Sequence, residues 1–295
     1  MKKIIFLFLA VAILMAGCSN KDSYKHADSW KSNIILTEGY EPTEDFYRHA
    51  KEANNAELAS TKKIISEYYK EYDLDWGNFA GVNTIKEVDI STAKDAEGVS
   101  LRTLAMVSSY YSMYDDDTKE IYLFPAYFRV DNEQRMHALV HELMHALIST
   151  NHRNYGRLEE GVVDLYTSHF MRATGHNPRP SYIAELNVAN WLVAVFGEEE
   201  VLGATREGGI ESLVDKATKP GMGEKLNMAL QAFSDAENVG EATEVANVVY
   251  DILTHLAINE SKAEDVIPLI EYAESNYAGI GINIDTAYFK KLLET

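Results

Sequence analysis

The chain has one cysteine, Cys18, in 295 residues. An internal disulfide is therefore excluded, and stability has to come from packing. Basic residues are also scarce: 27 Lys and Arg stand against 46 Asp and Glu, a formal charge of -19 spread without a dominant block. With no basic face, nucleic acid and anionic membrane surfaces are poor partners. Long apolar runs are missing apart from Ile4 to Ala16, which is too short to span a bilayer comfortably. Repeats and low-complexity segments are absent too, while a hydrophobic content of 46% rules out general disorder and supports one large domain or two smaller ones.

The N-terminus carries Lys2 and Lys3, the apolar run, and then Leu14-Met15-Ala16-Gly17-Cys18. This resembles a bacterial lipoprotein signal peptide with its lipobox, in which residues 1–17 are removed and Cys18 takes the lipid. The resemblance implies a protein held on the outside of the cell membrane by an N-terminal lipid anchor. Residues 18–31 are polar and read as a tether.

The most informative stretch is His141-Glu142-Leu143-Met144-His145. On a helix, residues four apart lie on one face about 40° from each other, so both imidazoles can reach one ion while Glu142 stands beside it. Asp131 is placed as the N-cap of this helix, with Gln134 reaching back as its partner. Met136, Leu139, Val140, Leu143, Met144 and Leu147 cover most of the circumference, the pattern of a buried helix. The remaining stripe of Gln134, Ala138, His141, Glu142, His145 and Ser149 is small or polar and leaves room for an ion. Two histidines on a buried helix are often hydrogen-bonded core residues, but a buried Glu142 between them would then lack an evident partner. One zinc ion per chain accounts for all three.

A catalytic zinc takes three protein ligands and keeps one position open. His152 is rejected as the third: Ile148 stands where the extended HExxHxxGxxH pattern has its glycine, and the spacing is one too long. Glu159 and Glu160 open a second helical stretch, Leu158 to Ala173, which Gly175, Pro178 and Pro180 terminate. Only Glu160 has a carboxylate one turn on: Asp164 lies on its face, placed to accept from the free ring nitrogen of a liganding histidine, whereas Glu159 has Val163 at that offset.

With HExxH followed on the next helix by Glu160-Gly161-Val162-Val163-Asp164, residues 119 to 175 resemble the thermolysin-like zinc peptidases called gluzincins. The resemblance implies His141, His145 and Glu160 as zinc ligands, Glu142 as general base, Asp164 as the carboxylate that orients a histidine, and a peptide or protein substrate. The chemistry of the residues points the same way, since zinc strongly lowers the pKa of a bound water and Glu142 can take its proton and pass it to the leaving amine. Tyr155 and Tyr182 are the nearest tyrosines beyond the motif. Tyr182 is named as the oxyanion donor by the habit of related enzymes, a packed aromatic being the plainer reading of either. His169 and His176 read as structural or exposed.

Lys119 to Phe124 reads as a strand entered by the turn Asp115-Asp116-Asp117 and stopped by Pro125, with Leu101 to Tyr114 as its antiparallel partner and a further strand around Thr84 to Ile90. In the resembling family, the strand before the zinc helix is the sheet edge along which an extended substrate lies. The three aspartates lack calcium-loop spacing and read as a solvated hairpin tip. Helices are expected over 43–72, 182–196, 223–235, 241–258, 263–278 and 285–293, with Val245, Val248, Val249, Ile252, Leu253 and Leu256 as the core face of the fourth.

The expected fold is therefore α+β: a zincin-like lobe over 32–178 with a small mixed or antiparallel sheet and the active-site helix, then a mostly helical lobe over 179–295. A zinc metallopeptidase is the function expected. The alternatives are a zinc amidohydrolase acting on a non-peptide substrate, and a substrate-binding lipoprotein that retains zinc without turnover.

Overall fold

The structure is a computed structural model that describes residues 51–52, 56–88, 111–148, 156–204, 211–215, 221–236, 239–260, 262–276 and 284–293. The expected signal peptide, Cys18, the expected tether, Ser149, His152, Tyr155, and the parts of expected elements at 43–50, 53–55, 89–90, 101–110 and 277–278 lie outside these residues. The described chain is mostly helical with a small mixed sheet, an α+β arrangement. It divides into two compact units, residues to 150 with 166–180, and 151–165 with 181–295.

In the first unit the sheet has the order β1-β2-β4-β3, built from β1 (Lys51–Glu52), β2 (Thr84–Glu87), β3 (Ser112–Asp115) and β4 (Glu120–Leu123). β2 runs parallel to β4, while β3 pairs antiparallel with it, Ser112 opposite Leu123 and Asp115 opposite Glu120. Ile121, Tyr122 and Leu123 are all buried, the continuous apolar run of a strand covered on both faces. This corrects the expectation that the strand before the zinc helix forms the edge. β2 occupies one side of β4 and β3 the other, so among the described residues β3 is the edge next to that helix.

The β3–β4 turn is satisfied from within. Asp115 accepts from the Asp117 amide at 3.1 Å and from Thr118 Oγ1 at 2.7 Å, while Lys119 takes the left-handed conformation that closes the hairpin. Helix α1 (Ala56–Tyr68) begins later than the sequence suggested, because Lys51 and Glu52 pair with Glu87 and Lys86 as a strand instead of continuing a helix. Backbone pairing along the β2 edge overrides the local helical pattern there. Short α2 (Trp76–Gly81), not anticipated, is capped by Asp75, which accepts the Asn78 amide at 2.8 Å.

Helix α3 (Asn132–Ile148) carries the HExxH motif and is buried almost continuously from His137 to Ile148. Asp131 caps it as expected, accepting the Gln134 amide at 2.9 Å. The Gln134 side chain does not reach back, however; its Nε2 donates to the Arg179 carbonyl at 3.4 Å. At the far end, the Asp75 amide and Asn78 Nδ2 donate to the Leu147 and Ala146 carbonyls at 3.1 and 3.0 Å, satisfying acceptors a helix terminus leaves open. Helix α4 (Gly156–Ala173) follows and ends at Gly175 in a positive-φ conformation.

The second unit contains α5 (Ile183–Phe196), α6 (Glu198–Ala204), α7 (Glu211–Asp215), α8 (Met222–Asp235), α9 (Val239–Asn259), α10 (Ala263–Asn276) and α11 (Thr286–Leu293). Its core includes Trp191, whose ring lies 4.8 Å from Tyr250 and 5.5 Å from Phe289. Asn187 Nδ2 donates to the Tyr250 hydroxyl at 2.8 Å. The buried stripe of α9 includes Ala242, Ala246, Val249, Leu253 and Leu256; Val248, expected on that face, is 53% exposed. It stands about 100° around the helix from Val249, beyond the arc the neighbouring helices cover. No described helix is long and apolar enough to cross a membrane.

Candidate metal centre

The caps described above fix α3 at both ends, and along its length His137, His141 and His145 recur at four-residue intervals. The His141 and His145 Nε2 atoms are 3.1 Å apart, and their rings meet edge to face at 4.8 Å. Two nitrogens bonded to one ion at about 2.05 Å in tetrahedral geometry would stand about 3.3 Å apart, so this separation suits a shared metal.

Among the described residues, two groups of side chains offer ligand atoms within 4.8 Å of one another and could hold a metal ion. One is His141, His145 and Glu160; the other is His137, His141 and Asp164, fully buried. The sequence-predicted residues His141, His145, Glu160 and Asp164 thus fall in these groups. His141 belongs to both groups. Two imidazoles with a carboxylate form a nitrogen and oxygen donor set that suits a divalent transition metal.

Glu142 is buried beside the centre, with both carboxylate oxygens engaged by β3. Oε1 accepts from Ser112 Oγ at 2.9 Å, and Oε2 accepts from the Tyr114 amide at 2.7 Å. Both partners are donors, the complement that an acceptor-only carboxylate requires. Ser112 Oγ also reaches the Ala138 carbonyl at 3.3 Å, one turn up the same helix.

Tyr114 itself is anchored by its hydroxyl, which lies 3.1 Å from Asp116 Oδ1 and 3.2 Å from Asn78 Oδ1. Burial, and then the Asp116 charge, push this phenol well above the ordinary tyrosine range. Asp116 in turn accepts from Lys119 Nζ at 2.7 Å and from Asn78 Nδ2 at 3.1 Å. The aspartate-rich hairpin tip therefore supports the site from a distance, because it holds the strand that holds Glu142.

Asp164 Oδ2 accepts from the Ser181 and Tyr182 amides at 3.1 and 2.9 Å. Tyr182 is the N-cap residue of α5, so its backbone has a defined role with Asp164. Of the other histidines, His176 Nδ1 lies 3.3 Å from Glu133, and the His169 ring packs edge-on against Tyr166.

Sequence reading missed His137 and Ser112. The Arg179 amide donates to His137 Nδ1 at 3.3 Å, which assigns the ring proton to Nε2. Its recurrence four residues before His141 was the available signal. Ser112 gave none, because its partnership with Glu142 spans thirty positions and depends on how β3 lies against α3. No protein-family model, curated protein or solved structure matches this chain.

Proposed function

We propose that the protein is a zinc-dependent metallopeptidase with a gluzincin-type site on a zincin-like lobe, anchored through Cys18 to the outside of a bacterial membrane. The observation that carries the reading is the conjunction on α3 and α4. Two Nε2 atoms 3.1 Å apart and the Glu160 carboxylate form a three-ligand group, and the intervening Glu142 is kept out of it by its bonds to β3. A structural zinc site closes with four protein ligands and often uses cysteine; three ligands leave a position for chemistry.

His141, His145 and Glu160 would hold the ion, and zinc when bound supplies a Lewis acid and acidifies a water molecule. Glu142 acts as general base and returns the proton to the leaving amine. Ser112 and the Tyr114 amide keep its carboxylate aimed. Asp164 orients a liganding histidine from a position that the Ser181 and Tyr182 amides fix. Tyr182 is assigned as the oxyanion donor.

The same Glu142 contacts give a reason to weigh a zinc-retaining binding lipoprotein, because a carboxylate with both oxygens occupied has less freedom to shuttle a proton. A zinc amidohydrolase acting on a non-peptide substrate would share the geometry.

The decisive experiment measures zinc content and cleavage of a mixed peptide library for the chain from Ser19 onward and for Glu142→Gln. One zinc per chain with cleavage only by the unmutated protein is the result expected. One zinc with no cleavage by either would move the assignment to the binding lipoprotein or to the amidohydrolase on a non-peptide substrate, and no zinc would overturn it.

A further inference from the structure

Arg157, at the start of α4, has no solvent exposure, and its partner Glu185, in the first turn of α5, is 4% exposed. The guanidinium Nη1 donates to Glu185 Oε1, and Nε donates to the Ala236 carbonyl at 3.2 Å. One turn along α4, Gly161 packs so closely on α5 that a Cβ there would lie 2.2 Å from the Glu185 carbonyl oxygen. Nearly one turn further, Asp164 takes the two amides that lead into α5. Positions 157, 161 and 164 share one face of α4, within roughly 60° of arc, and Glu160 stands at its border.

We infer that the buried Arg157–Glu185 pair, working with the Gly161 contact, positions Glu160 as a metal ligand by fixing the roll of α4 about its axis. The inference rests on Glu160 being a ligand, as proposed above.

A side-chain tip lies about 5–6 Å from a helix axis, so a roll of about 20° displaces it by roughly 2 Å. That equals a whole metal–ligand bond length of about 2 Å. A helix held only by apolar packing can settle into a neighbouring roll at little cost. A charged fork joined to one carboxylate and one carbonyl cannot, because any roll leaves a buried charge uncompensated. Buried ion pairs are on average no more stabilising than well-packed apolar residues, so a pair placed here is better explained by registry than by stability. Burial pushes the Glu185 carboxyl above its ordinary range and the Arg157 charge opposes this, with the Glu160 charge adding a smaller rise.

The test uses the full chain in detergent. Zinc affinity is measured by competition with a chromophoric chelator, and the ligand field by the visible spectrum of the cobalt(II)-loaded protein. In the double variant Arg157→Met/Glu185→Met, apolar side chains replace the pair. The expected result is a folded protein with a Tm near that of the wild type, zinc binding weakened at least roughly tenfold, and an altered cobalt spectrum. Arg157→Lys, which keeps the charge but loses the fork, should fall between the two.

Zinc affinity within twofold of the wild type in either folded variant, with an unchanged cobalt spectrum, overturns the inference. If the double variant does not fold, Arg157→Lys decides alone. Should the wild type bind no zinc, the ligand assignment itself has failed, an outcome distinct from a wild type that binds zinc and variants that bind it equally well.

Discussion

The Tyr114 backbone amide donates to Glu142 Oε2 at 2.7 Å, so an edge-strand hydrogen-bonding group is spent on the side chain between the two motif histidines. Ser112 Oγ, two residues earlier on β3, takes the other oxygen at 2.9 Å. Among the described residues, β3 is thereby both the border of the sheet and the support of the proposed general base.

Ser112→Ala removes one of these two donors without touching a ligand. Turnover of a cleaved peptide should fall roughly tenfold, the effect of a lost hydrogen bond to a charged group, with KM and zinc content unchanged. Ser112→Thr should restore most of it. Steady-state kinetics with zinc analysis of the three proteins checks this; full activity in the alanine variant would remove Ser112 from the site.

Glu160→Ala should weaken zinc retention at least roughly tenfold more than Glu159→Ala, since only Glu160 belongs to a group able to hold an ion with His141 and His145. Dialysis against a graded chelator series, followed by metal analysis, measures the difference. Equal losses would show that the ligand has been chosen wrongly.

Gly161→Ala would set a methyl 2.2 Å from the Glu185 carbonyl oxygen, a backbone atom that cannot yield without moving α5. A cost of about 1–3 kcal/mol or more is expected, read as a clear drop in Tm. Gly203→Ala in α6 is the control, because nothing lies within 4 Å of its added methyl. There the gain in helix propensity should leave Tm unchanged or slightly raised. Similar losses in both would mean that α4 and α5 do not meet as closely as the Gly161 contact requires.

Burial by itself would raise the Asp116 carboxyl, but bonds from Lys119, Asn78 and Tyr114 hold it below the ordinary aspartate value. A carboxyl lowered in the folded state adds stability above its unfolded pKa and loses that contribution as the pH falls through the folded value. Asp116→Asn should therefore lower Tm at pH 7, and its gap from the wild type should close below about pH 4. Thermal melts across pH 3 to 7 test this, and a gap constant over that range would separate the effect from the charge.

Cys18→Ser should move the protein from the membrane fraction to the soluble fraction and abolish incorporation of labelled fatty acid. Unchanged fractionation would rule out Cys18 as the anchor.

The sequence by itself determined what depends on neighbours along the chain. The 3.6-residue pattern and the Asp131 cap located α3, and the spacing of His141 and His145 put two imidazoles on one face. The Glu160 to Asp164 interval singled out the carboxylate that the structure groups with those histidines. Tertiary structure alone decided what depends on residues far apart. It placed β4 between β2 and β3, turned Lys51 and Glu52 into a strand, brought Ser112 to Glu142, and buried Arg157 against Glu185. Such contacts leave no periodic trace, because a hydrogen bond across thirty positions imposes no pattern on the residues between. The spacing of the candidate ligands is local geometry, whereas the aim of each side chain is set by packing.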